Sequence, residues 1–141
     1  MLERVPTGPA IPLVVQVGKW RRQVTVNVAN KCADNLIPGS DLTRLPRDHM
    51  EGDIPHIAVT TGGSDALECL LRRIGIADSE FTNESGSGRV HLYVGGEVGT
   101  DANGQGADQF SPALGGQSFT HATTLWNDVA KMRAYDMLML S

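Results

Sequence analysis

The chain is predicted to be an α/β protein in which a partial three-layer parallel sheet is preceded by a β-hairpin. Long Val/Ile/Leu runs alternate with Gly-rich stretches over 141 residues, as in α/β proteins with long loops. From Ile54 onward the order strand, helix, strand, loop, helix, strand is typical of a parallel sheet, because parallel neighbours need long crossovers. The strict alternation over 23–28 instead indicates an antiparallel strand with one wet face.

Residues 1–30 are predicted to form the hairpin unit. Strands at 11–17 and 23–28 are rich in β-branched residues, and the connection 18–22 begins with Gly. A lone two-stranded hairpin is marginal in water, so we expect it to need partner strands. Residues 31–53 are polar and contain Pro and Gly, which indicates a linker with at most a helical turn at 41–44.

Residues 54–141 are predicted to be the α/β unit, and its first half has the clearest pattern. A strand over 56–60 leads through a tight turn at 61–63 into a helix over 64–74, capped by Ser64 or Asp65 and closed by Gly75. Four apolar residues at helical spacing mark the face expected to be buried: Leu67, Leu70, Leu71 and Ile74.

The second half continues the pattern. We predict a strand over 90–94, a long Gly-rich connection over 95–118, a helix over 123–133 and a buried strand over 136–140. Leu125, Val129 and Met132 form the expected apolar stripe of that helix. A buried strand at the last residues suggests a piece of a longer protein whose chemistry lies beyond Ser141.

Charge supports two compositional units. The net charge is −4, but residues 1–50 hold seven Lys/Arg against four Asp/Glu, and residues 51–141 hold five against twelve. Neither balance suggests nucleic-acid binding. Lys19, Arg21 and Arg22 form a small basic patch that fits a solvated strand face.

The two cysteines give no disulfide framework. Cys32 lies in a polar segment expected to be an exposed loop, and Cys69 lies in the first helix, where a buried thiol is expected. Pairing between them is not expected; in a secreted parent protein Cys32 would pair with a cysteine outside this chain. The sequence shows neither a signal peptide nor an apolar run of membrane-spanning length.

Gly62, Gly63 and Ser64 are candidate ligand-binding residues. They follow a strand and precede a helix, where unpaired N–H groups favour an anion. The segment matches neither common phosphate-binding motif, and Asp65 would compete with an anion. The alternative is a purely structural turn.

Asp101, Asn103, Gln105 and Asp108 are candidate calcium ligands. Their oxygen donors alternate, and Gly106 takes the sixth position, as in the front of a calcium loop. Pro112 stands where a bidentate Glu is expected, so the alternative is a Gly-rich loop. Calcium-dependent adhesion would require a thermal midpoint that rises with millimolar calcium.

No residue is proposed as catalytic. The four histidines lack metal-ligand spacing, and His56 and His91 are expected to be packed or hydrogen-bonded on strands. Gly62 to Ala66 does not form the elbow of a hydrolase nucleophile.

Two segments carry a resemblance to known families. Val5-Pro6-Thr7-Gly8 and the run from Ile11 to Arg22 are similar to the closing strands of carboxypeptidase regulatory-like β-sandwich modules. The longer run resembles uncharacterised exported proteins or lipoproteins of soil bacteria. This resemblance implies a secreted or cell-surface location.

Residues 54–141 resemble the first part of a class I glutamine amidotransferase-like domain, which has a flavodoxin-like fold. The match is the opening strand, Gly turn and helix, and later Tyr135-Asp136 leading to Leu140. The catalytic Cys elbow of that family belongs to a later strand that this chain lacks.

Three functions follow as expectations. The first is a non-catalytic surface protein that binds an extracellular protein or glycan and contacts the remainder of its own polypeptide. The second is a hydrolase or amidotransferase with a downstream active site, and the third is calcium-dependent adhesion. No other cofactor, no nucleic acid and no transmembrane segment are expected.

Overall fold

The computed structural model describes residues 4–37, 39–63, 66–96 and 106–141. Within these ranges the protein has mixed α/β structure with two sheets, a two-stranded antiparallel hairpin and a five-stranded parallel sheet. The predicted α/β class and the preceding hairpin are therefore confirmed.

The hairpin consists of β1 (Gly8–Val17) and β2 (Trp20–Val28). Its turn is shorter than the predicted connection over 18–22, because Gly18 adopts a positive φ of 58°. That conformation lets two residues reverse the chain, and Val17 then pairs directly with Trp20. The predicted alternation is present, since the valines of β2 are less exposed than the polar residues between them.

The hairpin is attached to the rest of the protein through its turn end. The Trp20 indole N–H donates to the carbonyl of Pro46 over 2.8 Å, and its ring packs against the core. Arg21 and Asp53 exchange two backbone hydrogen bonds of 2.8 and 2.7 Å. The expected helical turn of the linker is a 3-10 turn at Ser40–Leu42. The division at residues 30 and 53 stays a prediction.

The parallel sheet has β3 (Ile57–Thr61) at its centre. β5 (Val90–Val94) pairs with one side of β3, and β7 (Met137–Met139) pairs with the other. Two short strands, β4 (Phe81–Thr82) and β6 (Thr120–His121), pair with opposite ends of the outer side of β5. Every residue of β3 and β5 is buried, as expected for the interior of a parallel sheet.

Helices cover both faces of the sheet. α1 (Leu67–Arg73) packs on the face that carries Val59 and Leu92, whereas α2 (Thr123–Trp126) packs on the face that carries Ala58 and Tyr93. α3 (Val129–Arg133) follows α2 directly. The larger cluster of buried side chains lies on the α1 face and comprises Ile57, Val59, Leu71, Ile76, Phe81, Val90, Leu92, Val94 and Phe119.

α1 is shorter than the predicted 64–74 helix, and its proposed caps Ser64 and Asp65 lie outside the described residues. Its carboxyl end is as predicted. Gly75 has φ 109°, its N–H donates to Arg72, and the N–H of Ile76 donates to Leu71.

The prediction of a buried apolar stripe on α1 is only partly correct. Leu71 is buried and Leu67 packs against the core, but Leu70 and Ile74 are about half exposed at 48% and 53%. A helix of two turns on the margin of the sheet offers one narrow face to the core, so the outer pair of apolar residues stays in water. Cys69 is exposed for the same reason, contrary to the expected buried thiol. Cys32 is exposed and free, as expected for a loop residue.

The predicted helix over 123–133 is two short helices. Asp128 leaves the helical conformation and its carboxylate accepts hydrogen bonds from the N–H groups of Ala130 and Lys131, which starts a new helix. The break removes Val129 from the stripe, and that side chain is 56% exposed, whereas Leu125 is fully buried.

β7 is shorter than the predicted 136–140 strand and is not buried. Among the described residues it pairs only with β3, so it forms an edge of the sheet rather than its interior. Met137 and Leu138 are 47% and 39% exposed. Asp136 lies in the preceding turn instead, where its N–H donates to the carbonyl of His56.

Candidate binding site at the carboxyl edge of the sheet

The strand order creates a switch point at the carboxyl edge of the sheet. The chain passes from β3 to β5 on one side, and later returns past β3 to β7 on the other. In open α/β sheets, ligands bind outside the carboxyl ends of the strands where the order reverses. Here that position lies at the end of β3, beside the ends of β5 and β7.

Gly62 and Gly63 lie at this edge, directly after β3, and Ser64 lies outside the described residues. A Cβ atom on Gly62 would overlap the side chain of Ser141, whose N–H donates to the Thr60 hydroxyl over 2.9 Å. The turn is therefore packed against the residues after β7. α1 begins only at Leu67 and has seven residues, so the predicted anion site gains no support from a long helix dipole.

Thr61 closes the end of β3. Its hydroxyl donates to the carbonyl of Ala107 over 2.8 Å and accepts from the N–H of Gly95 over 3.3 Å. A Cβ on Gly106 would overlap the Thr61 backbone, so only glycine permits this close approach. The segment that begins at Gly106 is thereby held against the sheet and forms one wall of a cavity.

The cavity has a volume of about 220 Å³ and lies between the sheet, α1 and the segment 107–119. Its aromatic walls are Phe81, Phe110 and Phe119, and Phe110 contacts Phe119 edge to face with ring centroids 4.7 Å apart. Leu92 and Leu114 add aliphatic surface. A small, mainly apolar pocket with few polar groups is the usual form of a small-molecule site.

Two polar groups of α1 line this cavity. The Arg72 guanidinium binds the Asp78 carboxylate through two hydrogen bonds of 2.6 and 2.9 Å, and this pairing raises the pKa of Arg72. The Oε2 atom of Glu68 is buried and has no hydrogen-bond partner in the part of the chain that is described. A buried carboxylate oxygen without a donor carries a desolvation cost.

The proposed calcium ligands are only partly described. Asp101, Asn103 and Gln105 lie outside the described residues, and Asp108 is exposed, with its backbone carbonyl accepting from Phe119. Calcium binding by this loop stays a prediction.

A second polar cluster lies on the opposite face of the sheet, towards its amino edge. His56 precedes β3, His91 and Tyr93 project from β5, and Tyr135 precedes β7. The contacts form a chain: the imidazole Nε2 atoms of the two histidines are 3.5 Å apart, His91 Nδ1 is 2.8 Å from the Tyr135 hydroxyl, and that hydroxyl is 2.7 Å from Tyr93. Tyr93 ends the chain at Glu84, 3.2 Å away.

The five contacts of this histidine–tyrosine chain need five hydrogens, and the neutral side chains carry four. Tyr93 donates to the Glu84 carboxylate, so the Tyr135 hydroxyl donates to Tyr93 and accepts from His91 Nδ1. The Ala134 carbonyl can only accept, so His56 donates to it from Nδ1. The 3.5 Å contact between the two Nε2 atoms is therefore the one without a hydrogen unless the imidazole pair gains a proton.

The surroundings oppose that extra proton. Burial lowers the pKa of His91, and the neighbouring His56 lowers it further, whereas the backbone of Gly86 and Gly88 acts in the opposite direction. Burial raises the pKa of Tyr93 and of Tyr135, so both phenols are neutral. The expectation that His56 and His91 are packed or hydrogen-bonded is confirmed.

Sequence reasoning missed the cavity and the histidine–tyrosine chain. Phe110 and Phe119 belong to a Gly-rich stretch that has no periodic signal, so nothing in the sequence places them on the sheet. His91 and Tyr93 are two residues apart on one strand, and this spacing could have indicated a shared face. Tyr135 and Glu84 are distant from these residues in sequence and contact them only in the folded protein.

The fold and the site together define a mixed α/β protein with a small cavity between its parallel sheet, α1 and the segment 107–119. No protein-family model, no curated protein and no solved structure matches this chain. In the described residues, no helix has the length and apolar character needed to cross a bilayer, and no cluster of three His, Cys, Asp or Glu side chains is placed to hold a metal ion.

Proposed function

We propose that this chain carries a non-catalytic binding unit of an exported or surface protein, and that residues 54–141 hold a small ligand at the carboxyl edge of their sheet. The observation that carries this proposal is the cavity of about 220 Å³ beside the end of β3. Its walls are mainly aromatic and aliphatic, as is usual for a small-molecule site, and Thr61 at the carboxyl end of β3 belongs to its lining.

The strand order supports a flavodoxin-like arrangement for this unit. With the two-residue strands β4 and β6 left aside, β5, β3 and β7 lie in chain order as second, first and third, with helices on both faces of the sheet. Flavodoxin-like sheets begin with this order. A glutamine amidotransferase-like unit would share it, and the hydrolase or amidotransferase alternative would then depend on residues outside this chain.

The size of the cavity suits a compact ligand. An apolar cavity of about 150 Å³ accommodates benzene, and the present one is somewhat larger. A protein or glycan partner would therefore insert only one small group here. Benzyl alcohol, which is neutral and of similar size, is a suitable first probe.

The test is a titration of benzyl alcohol into the ¹⁵N-labelled protein. Saturable shifts are expected at the amides of Leu92 and Phe119, which line the cavity. Ala107→Phe should abolish them by filling the cavity, whereas Ala130→Phe, on the exposed surface of α3, should leave them unchanged. If the folded wild-type protein gives no saturable shifts with benzyl alcohol or with its charged analogues, the cavity is not a ligand site.

A further inference from the structure

We propose that the ligand of this cavity carries a positively charged ammonium group, which Glu68 recognises. This inference rests on the proposed function and narrows it to one chemical class, small organic amines with an apolar body. It depends on the presence of a carboxylate and several aromatic side chains in the lining of one cavity.

Glu68 brings a carboxylate to the wall of the cavity. Its Oε2 is buried and accepts no hydrogen bond from any described residue, although the residue lines the cavity. Its neighbour one turn along α1, Arg72, is engaged by Asp78 instead. Because Oε2 has almost no accessible surface, an ammonium in the cavity reaches it only when the carboxylate turns, and the donor that Oε2 then gains offsets its desolvation cost.

The rings around Glu68 also favour a cation. Phe81, Phe110 and Phe119 all line the cavity, and an aromatic face attracts a cation through its quadrupole. The same faces repel an anion and accept an apolar body. A carboxylate and three phenyl groups in one small cavity therefore select an ammonium over a carboxylate or a phosphate.

Arg72 is the one cation in the lining, and its charge is neutralised locally. Asp78 binds its guanidinium through both carboxylate oxygens, so the pair presents no net charge to the cavity. Both members are more than half exposed and are therefore well screened by solvent. The net charge of the lining is then set by Glu68.

The experiment compares three ligands of nearly equal shape: benzylammonium, benzyl alcohol and benzoate, each titrated into the ¹⁵N-labelled protein. A charge-assisted hydrogen bond is about twice as strong as a neutral one, so benzylammonium should bind at least about tenfold more tightly than benzyl alcohol. Benzoate should bind more weakly than either. If benzyl alcohol binds and benzylammonium binds no more tightly, the inference fails while the proposed function stands.

Glu68→Gln is the matched variant, because it keeps the shape and removes the charge. The preference for benzylammonium over benzyl alcohol should fall below about threefold, with benzyl alcohol affinity retained. Asp34→Asn removes the same charge from an exposed loop and should keep the full preference. An undiminished preference in Glu68→Gln would assign the selectivity to the rings or to overall charge and overturn the role of Glu68.

Discussion

At the scale of single residues, Glu80 is the most demanding side chain to bury. It has no exposed side-chain surface, yet it lies at the start of β4 on a 3-10 turn. One carboxylate oxygen accepts from the N–H of His49 and contacts its imidazole, at 2.9 and 2.7 Å, and the other accepts from the N–H of Arg89 over 2.9 Å. Glu80 therefore joins the linker, the 3-10 turn and the start of β5.

Glu80→Ala is expected to destabilise the protein by about 2–4 kcal/mol, because the N–H groups of His49 and Arg89 lose their acceptor and a cavity is left at a fully buried position. Glu80→Gln should cost less, since its amide oxygen can still accept one of them. Urea unfolding followed by circular dichroism measures both. Asp34→Asn on the exposed loop should change stability by less than about 0.5 kcal/mol, and a similarly small effect of Glu80→Ala would show that Glu80 is not a structural link.

His91 makes stability depend on pH. Its pKa in the folded protein is lowered by burial and by His56, so the unfolded chain binds more protons as the pH falls through the ordinary imidazole range. The resulting stability is complete above about pH 6.5 and is lost as the pH falls towards the folded pKa. Glu84 acts on His91 through its charge and contacts Lys131, whereas Asp136 accepts from the N–H of His56.

We expect the free energy of unfolding to be higher at pH 7.5 than at pH 5.5, and His91→Gln to flatten this difference. Asp136, Glu84 and Glu51 also have lowered pKa values, that of Glu51 being about 2. Protonation of these carboxylates removes stability only at more acid pH. Urea titrations at the two pH values give the result. His121→Gln, outside the histidine–tyrosine chain, is the control. If the difference between the two pH values is unchanged in His91→Gln, His91 is not the source of the pH dependence.

Neither Glu80 nor the partners of His91 could be assigned from the sequence. His56 and His91 were expected to be packed or hydrogen-bonded on strands, because β-branched neighbours mark the strands themselves. Glu80 contacts His49, and His91 contacts Tyr135. Each of these pairs is more than thirty residues apart in sequence, and only the fold brings its members together. Local pattern carries no information about such contacts.

At the scale of elements, Trp20 fixes the hairpin to the sheet. Its ring packs against the larger core cluster, and its indole N–H donates to Pro46. The adjacent Arg21–Asp53 backbone pair and the Lys19–Asp136 ion pair hold the same end of the hairpin. Away from the turn, residues of β1 and β2 line an open groove together with residues 30–37.

Trp20→Ala should cost about 2–3 kcal/mol, from lost packing and a carbonyl without its donor. Trp126→Ala is the matched control, because Trp126 is 36% exposed on α2 and should cost less than about 1 kcal/mol. Thermal unfolding separates the two variants. If hydrogen exchange in Trp20→Ala accelerates only over residues 8–28, the hairpin unfolds as an independent unit. A uniform acceleration would show that the hairpin and the sheet unfold together.

Asp128 decides where α3 begins. Its carboxylate satisfies the N–H groups of Ala130 and Lys131, so Asp128→Ala should destabilise the protein by about 1 kcal/mol. Asn127→Ala, one residue earlier, should have less than about half that effect. Urea midpoints test both, and equal effects would show that Asp128 is not acting as a cap.

The long strands could be predicted to within a few residues, whereas the helices could not. β3 and β5 are buried on both faces, and their sequences are rich in β-branched and aromatic residues that differ from their surroundings. The helices have four to seven residues. At that length, a local cap such as Asp128 outweighs the periodic pattern, and the carboxyl-terminal signal at Gly75 was the dependable one.

At the scale of the whole molecule, the β7 edge of the described sheet combines exposed apolar side chains with an open strand. Met137, Leu138 and Leu140 are all more than a third exposed at the β7 edge. Among the described residues, the outer side of β7 has no strand partner. An exposed apolar edge strand is a template for pairing with another chain.

We therefore expect the protein to self-associate with rising concentration, and Leu138→Lys to weaken this association, since a lysine on an edge strand disfavours pairing between sheets. Sedimentation velocity over a concentration series measures the effect. Val129→Lys removes a comparable exposed side chain from α3 and should leave association unchanged, because α3 has no open hydrogen-bonding edge. Equal loss in both variants would assign the association to general stickiness rather than strand pairing, and a wild-type protein that stays monomeric throughout would show that the β7 edge is protected.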